Sequence, residues 1–232
     1  MKYIKFFDTV SLKDIALVGG KNANLGEMIS NFRNVNIPYG FAITTNCYDD
    51  YLEYNNNNNL NNVSTGNFTN EMKSEIIKAY YELSNKYGDK ETDVAVRSSA
   101  TAEDLDNASF AGQQDTFLNI RGVDDLLIYI KKCFASLYTD RAINYRDMFY
   151  DKDKHVSISV GIQKMVRSDL GSSGVAFSID TESGFKDVIV INGAYGLGET
   201  IVQGLVKPDE YIVHKTTLEQ GYNGIIYKQI GI

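Results

Sequence analysis

The chain has 232 residues, 43% of them hydrophobic, enough to bury a core and to make one or two domains. Its formal charge of −7 excludes a broad basic face for nucleic acid or anionic lipid, so a phosphate ligand must be met by a few local cations plus metal. Cys47 and Cys133 are the only cysteines, and with His155 and His214 far apart no zinc-like spacing exists. Two lone thiols suit a reducing cytoplasm. The opening MKYIKFFDTV is interrupted by Lys5 and Asp8, so it lacks the apolar centre of a signal peptide, and no run approaches the length of a membrane span. These features read as a soluble, acidic, intracellular protein.

Ile15 to Val18 is apolar, Gly19-Gly20-Lys21 follows, and Leu25, Met28, Ile29 and Phe32 then recur at helical spacing. The glycines thus stand just before a helix N-terminus, where free N–H groups and the dipole favour an anion, with Lys21 at the mouth. The Walker spacing is absent, and on spacing alone Lys21 reads as a solvated lysine in a helix-entry turn. Ile37 to Ile43 predicts a turn into a strand, and Thr44-Thr45-Asn46 offers caps for a helix over Tyr48 to Tyr54. Asn55 to Asn62 holds seven asparagines and one leucine, a surface insertion by composition. Ile76, Tyr80, Leu83 and Tyr87 mark a helix over residues 71–87.

Asp93 to Val96 reads as a buried strand and Thr116 to Ile120 as a second. Between them Arg97 to Asn119 stays small and polar, with no helical or strand period. Loops of that length inside a compact domain are functional or disordered. This one carries Arg97, hydroxyls at Ser98, Ser99, Thr101 and Ser109, and the patch Ala111-Gly112-Gln113-Gln114. Glycine lets backbone N–H groups turn toward a phosphate, and hydroxyls and amides add neutral donors. A solvated connection between two strands is the other reading of the same residues.

Val123, Leu126, Leu127, Ile130, Phe134 and Leu137 predict an amphipathic helix, with Asp124 and Asp125 in its first turn and Cys133 packed as a small hydrophobe. A helix over about 140–149 carries Arg141 and Arg146, taken as a solvated face. From His155 to Val166 the period changes to two, Ile158, Val160 and Ile162 alternating with Ser157, Ser159 and Gly161. Residues 174–179 and 188–192 read as an antiparallel pair. Gly193-Ala194-Tyr195-Gly196-Leu197-Gly198-Glu199 has Gly-x2-Gly-x-Gly spacing, the reverse of the dinucleotide fingerprint, so that reading is rejected. A glycine turn here starts a helix over 199–204 bearing Glu199 and Gln203. Glu199 could hold ribose hydroxyls or Mg²⁺, or simply satisfy the helix dipole. His214 reads as a strand residue.

RSSATAEDL followed by SFAGQQDTFLNI resembles the N-terminal ATP-binding domain of the phosphoenolpyruvate synthases (pyruvate, water dikinases) of the pyruvate phosphate dikinase family. The likeness continues through VGGKNANLGEMI, QKMVRSDLGSSGVAFSIDTESGF, GLGETIVQG and KPDEYIVHK. Rifampin phosphotransferases share much of the loop and supply the alternative, with a non-catalytic nucleotide-binding remnant as a third class. The resemblance implies an α/β (α+β) ATP-grasp-like domain of two lobes, the second incomplete: residues 1–160, and residues 161–232 with the hinge strand. It implies Lys21 and Arg97 as catalytic cations on the ATP phosphates and Gly112, Gln113, Gln114 and Thr116 as loop donors. It further implies a strand, Gln163, Lys164, Met165 and Val166, along the adenine edge, and Glu199 and Gln203 near the nucleotide.

The implied cofactors are ATP and Mg²⁺, with the metal carboxylates beyond Ile232. The implied partners are a phosphohistidine domain and a pyruvate-binding domain, neither matched here, and neither nucleic acid nor membrane. The chain is then expected to be one piece of a kinase of pyruvate metabolism and gluconeogenesis. By itself it is expected to bind ATP weakly at most and to turn over nothing.

Overall fold

The computed structural model describes residues 1–56, 63–101, 104–105, 108–109, 116–140, 142–144 and 156–231. The chain forms two compact units, Met1–Met165 and Val166–Ile232. In order, the first contains β1 (Ile4–Phe6), α1 (Ile15–Asn31), β2 (Gly40–Ile43), α2 (Thr45–Tyr54), α3 (Asn70–Lys86), β3 (Val94–Ala100), β4 (Asp104–Leu105), β5 (Ala108–Ser109), β6 (Thr116–Ile120), α4 (Val123–Ala135) and β7 (Ile158–Lys164).

Five of these strands make one antiparallel sheet, ordered β1-β2-β7-β3-β6, and β4 pairs with β5 separately. The division between units falls after Met165, later than the expected division after residue 160. The cause is plain: β7 pairs along its length with both β2 and β3, so the whole strand belongs to the first sheet.

Side chains alternate across the sheet. Val94, Val96 and Ala100 of β3, Ile158, Val160 and Ile162 of β7, and Phe41 and Ile43 of β2 point to one face, where they meet Tyr48, Tyr51, Ile76, Tyr80, Leu126, Ile130 and Phe134 from the helices. Phe134 is ringed by Tyr48, Tyr51 and Phe68 at centroid distances of 5.2, 5.4 and 6.3 Å. Cys47 and Cys133 are buried in the same core. A register shift in β6, with Asn119 at φ 58°, turns both Phe117 and Ile120 toward this face.

The other face of the sheet is small and polar (Ser99, Ser159, Gly161 and Ala42), and α1 lies across it. That explains a departure from the expected helix stripe. Met28 and Phe32 are 41% and 53% exposed, whereas Val18, Gly19, Gly20, Asn22, Ala23 and Gly26 form the buried side of α1. A polar sheet face admits the helix only where its side chains are short. The expected helix after Thr44 starts earlier, at Thr45, and Thr44 makes no side-chain cap. The helices over 71–87 and 123–137 form much as the periodicity predicts, as α3 and α4 followed by a 3₁₀ turn at Ser136–Tyr138, with Tyr87 exposed. Most of the asparagine tract, His155, Arg141 and Arg146 lie outside the described residues.

The second unit is a four-stranded antiparallel sheet of β8 (Ser172–Phe177), β9 (Val188–Tyr195), β10 (Asp209–His214) and β11 (Ile225–Gln229), ordered β11-β10-β9-β8. The expected antiparallel pair is β8 with β9. β9 runs on through Gly193, Ala194 and Tyr195, so only the later part of the glycine-rich segment turns, with Gly196 at φ 88°. Two short helices, Glu199–Val202 and Lys215–Glu219, complete the unit. His214 ends β10 and caps the second of them, its Nδ1 accepting from the Thr217 N–H at 3.4 Å.

Candidate functional site: an anchored arginine beside a broken helix

Gly19 interrupts α1 at φ 74°, ψ 166°, a backbone that side-chain-bearing residues avoid. A Cβ there would also stand 2.3 Å from the carbonyl oxygen and the Oγ of Ser99. The helix therefore restarts at Gly20, giving a fresh N-terminal turn whose N–H groups lack intrahelical partners. One of them, from Asn22, donates to Ser99 Oγ at 3.3 Å. The Asn22 amide donates to Val18 O at 2.9 Å and Ser159 Oγ at 3.1 Å, and Ser159 Oγ donates to Ile43 O at 2.6 Å. This chain of buried polar contacts fixes the restarted helix on β3 and β7. Lys21, exposed, lies in its first turn.

Arg97 lies two residues before Ser99 on β3 and so leaves the sheet on the face that α1 occupies. This corrects the expectation of a loop beginning at Arg97, because β3 continues to Ala100. Ser98 and Ser99 are buried within it rather than offered to a ligand. Thr101 is likewise engaged, its hydroxyl donating to Ser157 O at 3.2 Å. The directly opposed residues are Thr116 on β6 and Gly161 on β7. Gly161 is required there, since a Cβ would sit 2.3 Å from Asn22 Oδ1.

Arg97 Nη1 donates to Gln163 Oε1 at 3.1 Å, and Gln163 Nε2 donates to Pro38 O at 3.0 Å. The Gln163 side chain is buried; Arg97 remains exposed, although the protein packed around its base draws its pKa below the ordinary arginine value. It stays a cation throughout the physiological range.

The other expected residues divide by place. Lys164 points to the opposite face and pairs with Asp93, Nζ to Oδ1 2.6 Å, so its charge is compensated inside the protein. The N–H groups of Lys164 and Met165 donate to Tyr39 O and Asp93 O, both at 3.0 Å. Both donors are thus engaged within the first unit. Gln163 enters the site by its side chain. Val166, 58% exposed, is the first residue of the second unit. Glu199 and Gln203 also lie in that unit and meet each other, Gln203 Nε2 donating to Glu199 Oε1 at 2.8 Å. Gly112, Gln113 and Gln114 lie outside the described residues. Among the described residues no group of three or more carboxylate, imidazole or thiol side chains is placed to hold a metal ion.

Asn22, Ser99 and Ser159 were not legible as a mounting for the helix end. Their only signal was small and polar residues alternating with apolar ones along two strands.

A mixed helix-and-sheet unit that sets a helix start and an anchored guanidinium on one sheet face is suited to an anionic ligand. The chain belongs to the family described as pyruvate phosphate dikinase, AMP/ATP-binding domain, whose model matches residues 15–66 and 57–231. Its relatives include the phosphoenolpyruvate synthase of Aquifex aeolicus, 51% identical across 98% of this chain and 30% of that protein. The synthase of Helicobacter pylori is 49% identical across 100% of this chain and 32% of that protein. That of Escherichia coli is 44% identical across 98% and 32%. The chain thus spans about a third of the length of these relatives.

Proposed function

We propose that this chain is the ATP-binding part of a phosphoenolpyruvate synthase, a pyruvate, water dikinase that converts ATP, pyruvate and water to AMP, phosphoenolpyruvate and phosphate. The observation that carries the reading is the match to synthases along essentially the whole chain, at 49–51% identity for the two named first. The ATP-grasp designation and a cytoplasmic location belong to the same proposal. No helix among the described residues is long and apolar enough to cross a membrane.

Phosphoryl transfer asks little covalent help of a protein; it asks that phosphates be held in line and their charge met by cations and fixed dipoles. In this reading Arg97 and Lys21 meet the phosphate tail, and the restarted helix directs its N-terminal dipole the same way. Thr116, opposite Arg97, donates its hydroxyl, and Gly112, Gln113 and Gln114 add loop donors. In the first unit, backbone groups of Gln163 to Met165 other than the two engaged N–H groups are proposed for the adenine; in the second unit, taken by itself, Val166, Glu199 and Gln203 are carried as nucleotide contacts by the resemblance alone. Among the described residues no carboxylate cluster is placed to hold Mg²⁺; the ion would supply positive charge to the phosphates when bound. The partners are a phosphohistidine domain that accepts the phosphoryl group and a pyruvate-binding domain.

Titration of the chain with ATP, followed by calorimetry, tests the reading. Arg97→Ala and Lys21→Ala should each weaken binding by about 1–3 kcal/mol, the range for losing a charged hydrogen-bond partner. Unchanged affinity in both variants would remove the phosphates from this face.

A further inference from the structure

β7 carries two adjacent residues that treat a cation in opposite ways. Lys164, on the core side, meets the carboxylate of Asp93. Gln163, on the α1 side, meets Arg97 with a neutral amide. The amide has no freedom to turn over. Pro38 O can only accept and a guanidinium can only donate, so Nε2 must face the first and Oε1 the second. Gly161 leaves the position directly across from Arg97 without a side chain, and Gln163 stands diagonally beyond it, within reach of a long side chain. Among the described residues no carboxylate pairs with Arg97.

We propose that Gln163 is a positioning residue for Arg97: it aims the guanidinium through its carbonyl oxygen while leaving the full positive charge for a phosphate oxygen. The inference rests on the reading of Arg97 as a phosphate cation and assigns Gln163 a role separate from any adenine contact. A carboxylate at this position would still accept from the guanidinium, but it would lose the bond to Pro38 O and would neutralise the charge. A side chain of similar length with no acceptor would leave the charge and lose the aim.

The two substitutions that embody those alternatives are Gln163→Glu and Gln163→Met, made in the full chain and checked for folding by denaturant midpoint. The first readout needs no ligand. The Arg97 Nε–H resonance in a ¹⁵N-labelled sample, assigned by its loss in Arg97→Lys, should be sharp and dispersed in the parent and in Gln163→Glu. In Gln163→Met it should collapse into the envelope of mobile arginines. The second readout is titration with ATP and with inorganic tripolyphosphate. Both variants should bind each about tenfold more weakly, the factor that follows from losing or compensating one charged contact.

Parent-like affinity in Gln163→Glu would overturn the requirement for a neutral partner, and an unchanged Arg97 signal in Gln163→Met would overturn the anchoring. If Gln163→Met does not fold, Gln163→Glu decides through its affinity alone. The titrations are carried to ligand concentrations that resolve weak binding, as expected of this chain; a parent that ignores both phosphates even there, while its Arg97 signal responds as stated, would sink the phosphate reading and leave the anchoring intact.

Discussion

The two units solve the problem of burying a sheet to very different degrees. In the first, five strands lie between α1 on one face and the helices α2 to α4 on the other, and Phe41, Val96, Val160, Tyr51 and Phe134 are wholly enclosed. In the second, four strands are accompanied by only two short helices. Among its described apolar residues Val188, Val190 and Val213 are buried, while Phe177, Tyr195, Ile226, Tyr227 and Ile230 are 40–92% exposed. Strands in both units carry apolar residues in quantity. A sheet becomes a core only when a second layer covers it.

The strongest test of this contrast is Phe134→Ala. It should cost about 3–5 kcal/mol of stability by denaturant unfolding, because the ring is fully buried among three others. A loss near zero would mean that the first unit is no better packed than the second. Gly19→Ala should cost about 2–3 kcal/mol, combining a strained backbone with a side chain driven into Ser99. Shortening Ser99 to Gly in that background should recover little of the loss, because the Ser99 carbonyl oxygen, also 2.3 Å from the added Cβ, stays in place.

Next in size is Asp50→Asn. The hydrogen bond from Lys2, with help from Tyr3, holds the Asp50 carboxyl below its usual pKa. A depressed folded pKa adds stability above the unfolded value near 4 and loses it as the pH falls through the folded value. The pair is partly exposed, so at neutral pH the variant should lose under about 1 kcal/mol, and the difference should vanish in acid and shrink in salt. Smallest of all, Ile226→Ser on the exposed β11 should change stability by under about 0.5 kcal/mol while reducing the binding of an apolar fluorescent dye. A loss above roughly 1.5 kcal/mol would show that this face is covered in solution, and the contrast between the units would fail there.

Periodicity made much of this legible. α3, α4 and β7 announce themselves through Ile76, Tyr80 and Leu83, through Leu126, Ile130 and Phe134, and through Ile158, Val160 and Ile162, because one face of each packs on a deep core. It misled where the packing partner was not apolar. Of the expected stripe of α1, Leu25 and Ile29 pack on the small cluster of Phe7, Val10, Val18, Ala23 and Ala42, but Met28 and Phe32 are exposed and the small-residue side faces the sheet. Nothing in one segment reveals that the strands beneath it present serine and glycine. Arg97 was legible as a candidate cation but not as a strand residue, since Arg97-Ser98-Ser99 resembles loop chemistry until two neighbouring strands supply its pairing. The role of Gln163 needed coordinates, because it depends on Pro38 and Arg97 arriving from two other strands' vicinity. β11 and the capping role of His214 carry too little apolar period to declare themselves.

Both thiols of the chain lie in the better-packed unit, and burial drives the Cys47 thiol well above its ordinary pKa. They are therefore slow to alkylate until that unit opens, and the rest of the chain is silent to the same reagent. A maleimide time course on the unmodified protein is thus a built-in clock for the opening of the first unit alone. No label need be engineered to read it.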